Sequence, residues 1–355
     1  MEIGIYSFGD VQKDATTGEL GSTAEATRNL LEAIQLADQV GLDYFGIGEH
    51  HTREMPASAA TVILGAAAAS TKNIKLGSAV TVLSTDDPVR VYQQFATLDA
   101  LSNGRAEITA GRGSSTESFP LFGHSLNDYD ALYAEKLDLL MLINESESVT
   151  WNGKFRPALN KAQVVPRPDG GSLPIWLATG GNPQSSVRAG LNGLPISYAI
   201  IGGQANRFAP LAELYRRAAA QAGVAPEKIK VSVASPGFVG EDAAKAKDFF
   251  WTHWHAVMEQ LGKIRGFAPP PRFHYDKEAS GDGALFAGSP EEIAERIVKL
   301  HGSLGHMRQF FQIDVGQMPH REYLRSIELF GTKVKPLVDA ALGDKAKAKE
   351  ANRDA

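Results

Sequence analysis

No cysteine occurs among the 355 residues of this chain. That absence excludes disulfides, thiolate metal sites, iron–sulfur clusters and cysteine nucleophiles, and it gives no sign of an oxidising compartment, so the cytoplasm is the expected location. Charge of one sign is scarce as well. The net charge of -5 comes from 36 basic and 41 acidic residues, which leaves no basic stripe for a nucleic acid or an anionic membrane. Long hydrophobic runs are also missing. The longest apolar tract, residues 61–70, is alanine-rich and falls far short of the roughly 20 residues that cross a bilayer. The first residues run straight into a strand-like pattern, 2–8, without the basic and apolar regions of a signal peptide.

What the chain has is alternation. Short β-prone runs take turns with helix-length amphipathic segments, the order expected of parallel strands joined by crossover helices. The first helix, 23–40, opens with Ser22 three residues before Glu25, a capping box, and stops at Gly41. Asp87 and Pro88 supply an N-cap and a first helical residue after a third strand at 74–83, with Gly104 beyond that helix. Further strands are expected at 44–48, 105–110, 174–179, 194–201, 229–239 and 308–314. Eight such units fit an α/β protein of the closed (β/α)8 TIM barrel type, with an open doubly wound sheet as the alternative. The barrel is read as one domain over 1–340. It has an insertion at about 149–168, where Asn152-Gly153 signals a hairpin, and a lid-like one at about 241–288. A polar tail, 341–355, is expected to fray from Gly343 onward.

In such a barrel the reacting groups come from strand C-termini and the loops after them. The second strand ends in Gly48-Glu49-His50-His51, either a polar cluster that holds the loop or a proton relay in which a carboxylate tunes an imidazole. The fourth ends in Gly111-Arg112-Gly113-Ser114-Ser115. This is either a tight turn with an exposed arginine or a phosphate contact, but not a dinucleotide fingerprint, because Thr116 replaces its third glycine. After the fifth come Thr179-Gly180-Gly181-Asn182 and a helix from Pro183 with Ser185 in its first turn, a helix start suited to an anion. Consecutive strands would bring the last two to one phosphate. His253 and His255 have a metal-like spacing, but they fall on a helix where residues two apart diverge. No metal site is expected.

Together these segments resemble the luciferase-like monooxygenases, a family of (β/α)8 flavoproteins. The resemblance rests on Gly48-Glu49-His50-His51, the run 76–88, Leu98-Asp99-Ala100-Leu101-Ser102-Asn103-Gly104-Arg105 and Gly111-Arg112-Gly113. It implies an oxidoreductase that takes FMN, reduced by a separate reductase, or the deazaflavin coenzyme F420. Its other partners would be a small organic substrate, O2 and a second copy of the chain. Carried over by position, it makes His50 the proton-transfer residue beside the flavin ring and Glu49 its polar neighbour. Arg112, Gly113, Ser114, Thr179, Gly180, Gly181 and Ser185 would hold the phosphate. Ser7 would lie near the ring, and a non-proline cis peptide expected at Ala79–Val80 would lie under it, so that both residues contact the cofactor. Gly111 stands where light-emitting members carry a cysteine, so bioluminescence is not implied. The competing expectations are an F420-dependent dehydrogenase, a flavin-storing protein and a metal-dependent hydrolase built on Glu49, His50 and His51.

Overall fold

The structure, a computed structural model, describes residues 1–13 and 17–351. Its strands are β1 (Glu2–Ser7), β2 (Tyr44–Ile47), β3 (Lys75–Ser78), β4 (Thr81–Val82), β5 (Ala106–Gly111), β6 (Ser148–Trp151), β7 (Leu159–Gln163), β8 (Ile175–Thr179), β9 (Ile196–Ala199), β10 (Val231–Val239), β11 (Phe286–Gly288) and β12 (Arg308–Gln312). The helices are α1 (Thr23–Gln39), α2 (Ala60–Ser70), α3 (Pro88–Ser102), α4 (Ser118–Leu121), α5 (Tyr129–Glu145), α6 (Pro183–Leu191), α7 (Ala209–Gln221), α8 (Ala243–Arg265), α9 (Arg272–Glu278), α10 (Pro290–Leu304), α11 (His320–Leu329) and α12 (Lys335–Ala351).

Parallel pairing runs β1–β2–β3–β5–β8–β9–β10–β12 and from β12 back to β1, which closes a barrel of eight strands. Closure rules out the open sheet. The caps lie where the sequence puts them: Ser22 accepts from the Glu25 N–H at 3.4 Å, and Asp87 accepts from Val89 and Arg90 at 2.9 and 3.2 Å.

Strand parity sorts the barrel's two faces. Ile3, Ile5, Phe45 and Ile47 point outward into the helix layer, where they join the main core with Leu30, Ala33 and Ile34. Tyr6, Tyr44, Ala79, Ala234 and Phe310 point inward and pack with Phe8. The base of the interior is ionic. Arg308 of β12 reaches across to Glu107 of β5 with two hydrogen bonds, 2.6 and 3.1 Å, and donates to Glu2 at 2.6 Å. Its guanidinium lies 4.4 Å from the Tyr44 ring centre and 4.9 Å from that of Trp176.

Three elements differ from the sequence reading. The third strand, expected unbroken over 74–83, is split into β3 and β4 at the Ala79–Val80 peptide bond, which is cis as the family resemblance implied. The hairpin of β6 and β7 does not turn at Asn152-Gly153. Glu135 takes the N–H groups of Lys154 and Phe155 at 2.7 and 2.9 Å and draws the chain into a longer loop that resumes pairing at Trp151 and Leu159. The tail expected to fray continues as α12 to Ala351, and residues 352–355 lie outside those described. Residues 241–288 carry α8 and α9 and end in β11, which pairs parallel with the far end of β10.

Candidate active site

At the C-terminal mouth of the barrel the cis bond turns the end of the third strand toward the second. Ala79 donates to the Ile47 carbonyl at 2.8 Å, and the Val80 carbonyl accepts from Glu49 at 3.1 Å. Gly111 makes room for the resulting bulge: a β-carbon there would lie 2.5 Å from a Val80 methyl. Gly48 likewise accommodates Phe8, whose ring would meet a β-carbon at 2.1 Å.

His50 is buried, with the edge of its ring on Phe8 at 4.5 Å. Its partner is not Glu49. Its Nδ1 lies 2.7 Å from the carboxylate of Glu117, next to the short helix α4. Glu49 instead bonds His51 Nε2 at 2.9 Å and accepts from the Val82 N–H at 2.9 Å. A carboxylate on Nδ1 fixes the proton there, an assignment made from the partner, and leaves Nε2 as the nitrogen that accepts or delivers a proton. Glu117 was missed because the loop before α5 has neither strand nor helix periodicity.

Ser7 corrects the sequence reading. As the last residue of β1 it follows Ile3 and Ile5 in parity, so its side chain points into the helix layer. There its hydroxyl donates to Asp314 and accepts from the Gly9 N–H at 2.8 Å. The aromatic residues Tyr6 and Phe8 occupy the inward positions instead.

The register of β5 with β8, Ala110 level with Leu177, sets Arg112 level with Thr179. Arg112 donates to Asp130 at 2.6 Å and lies 5.6 Å from the Tyr129 ring centre. The Asp130 side chain is 81% exposed, so an incoming anion has only a solvated ion pair to displace. Gly113 takes a φ of +81°, and its carbonyl accepts from the Tyr129 hydroxyl at 2.5 Å, which fixes the turn that carries Ser114. Thr179 accepts from the N–H groups of Gly181 and Asn182 at 3.3 and 3.2 Å. Asn182 caps α6 through the Gln184 N–H at 2.8 Å, with Ser185 in the first turn. No heavy atom lies within 4 Å of a β-carbon built on Gly180, so its backbone is open to a ligand. His253 and His255 face separate partners on α8, the Gly316 carbonyl at 3.0 Å and Glu259 at 3.8 Å.

Asp86, in the loop after β4, also went unnoticed in the sequence. Burial, with the charge of Glu49 adding to it, pushes its carboxyl up to about 6. A folded-state value above the unfolded one means that this group's stabilisation is complete below about pH 4 and is lost as pH rises through about 6. Asp86→Asn should therefore flatten the fall in stability between about pH 5 and pH 7.5 by an amount on the order of 1 kcal/mol. Urea unfolding at the two pH values measures it, and an unchanged slope would contradict the assignment.

A histidine–carboxylate pair and a half-buried arginine thus share one mouth of a (β/α)8 barrel, the end at which enzymes of this architecture carry their active sites. The profile of the luciferase-like monooxygenases matches residues 1–307, and the chain belongs to that family. It is 28% identical over 307 residues to the N-acetyl-S-alkylcysteine monooxygenase of Bacillus subtilis, covering 81% of this chain and 86% of that one. The fold is shared with the oxygenating constituent of 3,6-diketocamphane monooxygenase from Pseudomonas putida, solved in complex with FMN. That likeness has a TM-score of 0.74 and 20% identity, over 95% of this chain and 98% of that one. It is shared as well with an F420-dependent secondary alcohol dehydrogenase, with a TM-score of 0.71 and 19% identity, over 95% and 98%. Among the described residues no helix is long and apolar enough to cross a membrane.

Proposed function

We propose that this protein is a monooxygenase that uses reduced FMN, delivered by a separate reductase, and O2 to oxidise a small organic substrate. The observation that carries the reading is His50, held by Glu117 beside the Ala79–Val80 bulge at the barrel mouth. Bound FMN would supply the electrons that activate O2. The residues fit that group. Val80, pressed forward over Gly111, offers an apolar seat for a ring, and Gly180 leaves its backbone open beside Arg112. Arg112, Gly113, Ser114, Thr179, Gly180, Gly181 and Ser185 would hold the phosphate, and His50 Nε2 would move a proton at the ring or substrate. The insertion with α8 and α9 would exclude water.

A second copy of the chain is the expected partner. Helix α2 contains no charged residue and exposes Val62 at 72%, which favours a homodimer through barrel helices; sedimentation at the mass of one chain would remove it.

Arg112→Ala should weaken cofactor binding by about 10- to 100-fold, the loss of a charged hydrogen bond, while turnover at saturating flavin stays near that of the parent. Titration by flavin fluorescence reads the first quantity and steady-state rates the second; unaltered affinity would move the phosphate elsewhere. Because F420-dependent proteins share the fold, the same titration is run with F420. Binding of F420 with exclusion of FMN would replace the monooxygenase reading by a dehydrogenase.

A further inference from the structure

Helix α5 meets the ends of the third and fourth barrel strands with three polar side chains. Tyr129, Tyr133 and Lys136, spaced four and three residues apart, share one face of the helix. The Tyr133 hydroxyl donates to the Ala110 carbonyl at 3.2 Å, as that of Tyr129 does to Gly113. Lys136 turns to the loop after β4, where its Nζ donates to the Ser84 carbonyl at 2.8 Å. The Ser84 hydroxyl in turn donates to the Arg112 carbonyl at 3.2 Å, and the Leu83 N–H to that of Gly111 at 3.0 Å. Every carbonyl from 110 to 113 is therefore taken, which fixes the backbone that carries Arg112.

Folding alone does not call for a lysine at this position. Lys136 is 4% exposed and sits among the buried residues of α5, Leu132, Leu137 and Leu140 included. Among the described residues the Ser84 carbonyl is its one hydrogen-bond partner. Burial pulls its pKa down, and the charges of Asp86, Asp87 and Glu135 act against burial without cancelling it. An ammonium so placed costs more in lost hydration than one neutral acceptor returns, whereas a methionine would fill the same space at no such cost. What the ammonium adds is a hold on the Ser84 carbonyl, to which the described residues offer no backbone N–H.

We propose that Lys136 is a positioning residue of the cofactor site: through Ser84 it sets the backbone of Arg112, and with it the guanidinium offered to the phosphate. The inference rests on the reading of Arg112 as a phosphate ligand. Lys136 acts through Ser84 and not by contact with the cofactor. Its hydrogen bond ties the loop after the third barrel strand to the loop after the fourth, while Asp130, on the same helix, holds the Arg112 side chain at 2.6 Å. One helix thus governs both the backbone and the side chain of that arginine.

Lys136→Met, which keeps the bulk of the side chain and removes the ammonium, tests it on the whole chain. FMN titrated by fluorescence should bind about 3- to 10-fold more weakly, while the melting temperature without flavin stays within about 3 °C of the parent. Amide hydrogen exchange should quicken over residues 82–87, where the Leu83 and Thr85 N–H groups are bonded, and not over β1 and β2. Ser84→Ala should weaken FMN by a similar factor, and the double variant should bind no more weakly than the weaker single one, because the two residues act in series. Lys136→Gln, too short to keep the bond, carries the test if the methionine variant does not fold. Parent-like FMN affinity in the Lys136 variant, exchange that is unchanged over 82–87 or quickens throughout the barrel, or losses that multiply in the double variant would overturn the inference. Arg112→Ala run beside them separates it from the reading beneath: if that variant too binds FMN like the parent, the phosphate assignment itself fails.

Discussion

Replacing His50 with alanine should lower turnover by about 100- to 10,000-fold, the usual contribution of a positioned acid–base group, and change flavin affinity by less than about 3-fold. The asymmetry follows from where the ring sits. His50 lies against Phe8 after the second strand, whereas the groups proposed to hold the phosphate follow the fourth and fifth strands. Glu117→Gln should fall between the parent and His50→Ala, because an amide oxygen can still accept from Nδ1 and hold the ring but without the charge of the carboxylate. Steady-state rates, with separate flavin titrations, give both quantities. A large loss of binding with ordinary turnover at saturation would make His50 a binding residue instead.

Glu107→Ala should cost about 3–5 kcal/mol, the loss seen when a buried pair keeps one partner. Arg308 is 2% exposed, and its guanidinium donates three hydrogen bonds to carboxylates, two of them to Glu107. Strands β5 and β12 are fourth and eighth of eight, so this pair spans the barrel, and its loss leaves the cation among the Tyr44 and Trp176 rings with Glu2 as its one remaining carboxylate partner. Domains of ordinary stability hold only about 5–15 kcal/mol in total, so the variant should approach unfolding at ambient temperature. Glu107→Gln keeps the shape and one acceptor and should lose less. Urea unfolding followed by circular dichroism decides it, and a loss under about 0.5 kcal/mol would mean that water or Glu2 replaces the pair.

The strand and helix order was legible because its signals are local. Ser22 with Glu25, and Asp87 with Pro88, cap helices through contacts two or three residues apart. The break in the third strand was legible only through family resemblance, since nothing in Ser78-Ala79-Val80-Thr81 departs from an ordinary buried strand. Ser7 was misplaced although the signal was present: Ile3 and Ile5 mark the outward face, and Ser7 shares their parity. Glu117, Asp314 and the pairing of Arg308 with Glu107 were not legible. Each meets its partner across at least 67 residues of sequence, and such a separation leaves no periodic trace.

The central claim, that the barrel mouth binds reduced flavin and directs its reaction with O2, is tested most directly by mixing the protein and anaerobically reduced FMN with oxygenated buffer. Flavin absorbance is followed rapidly beside a protein-free control. The account predicts saturable binding and a reoxidation course that differs from free flavin in the parent protein, reverting toward it when Arg112→Ala lowers occupancy. Reoxidation identical to free flavin at saturating protein, or no binding of reduced FMN where F420 binds, would contradict it.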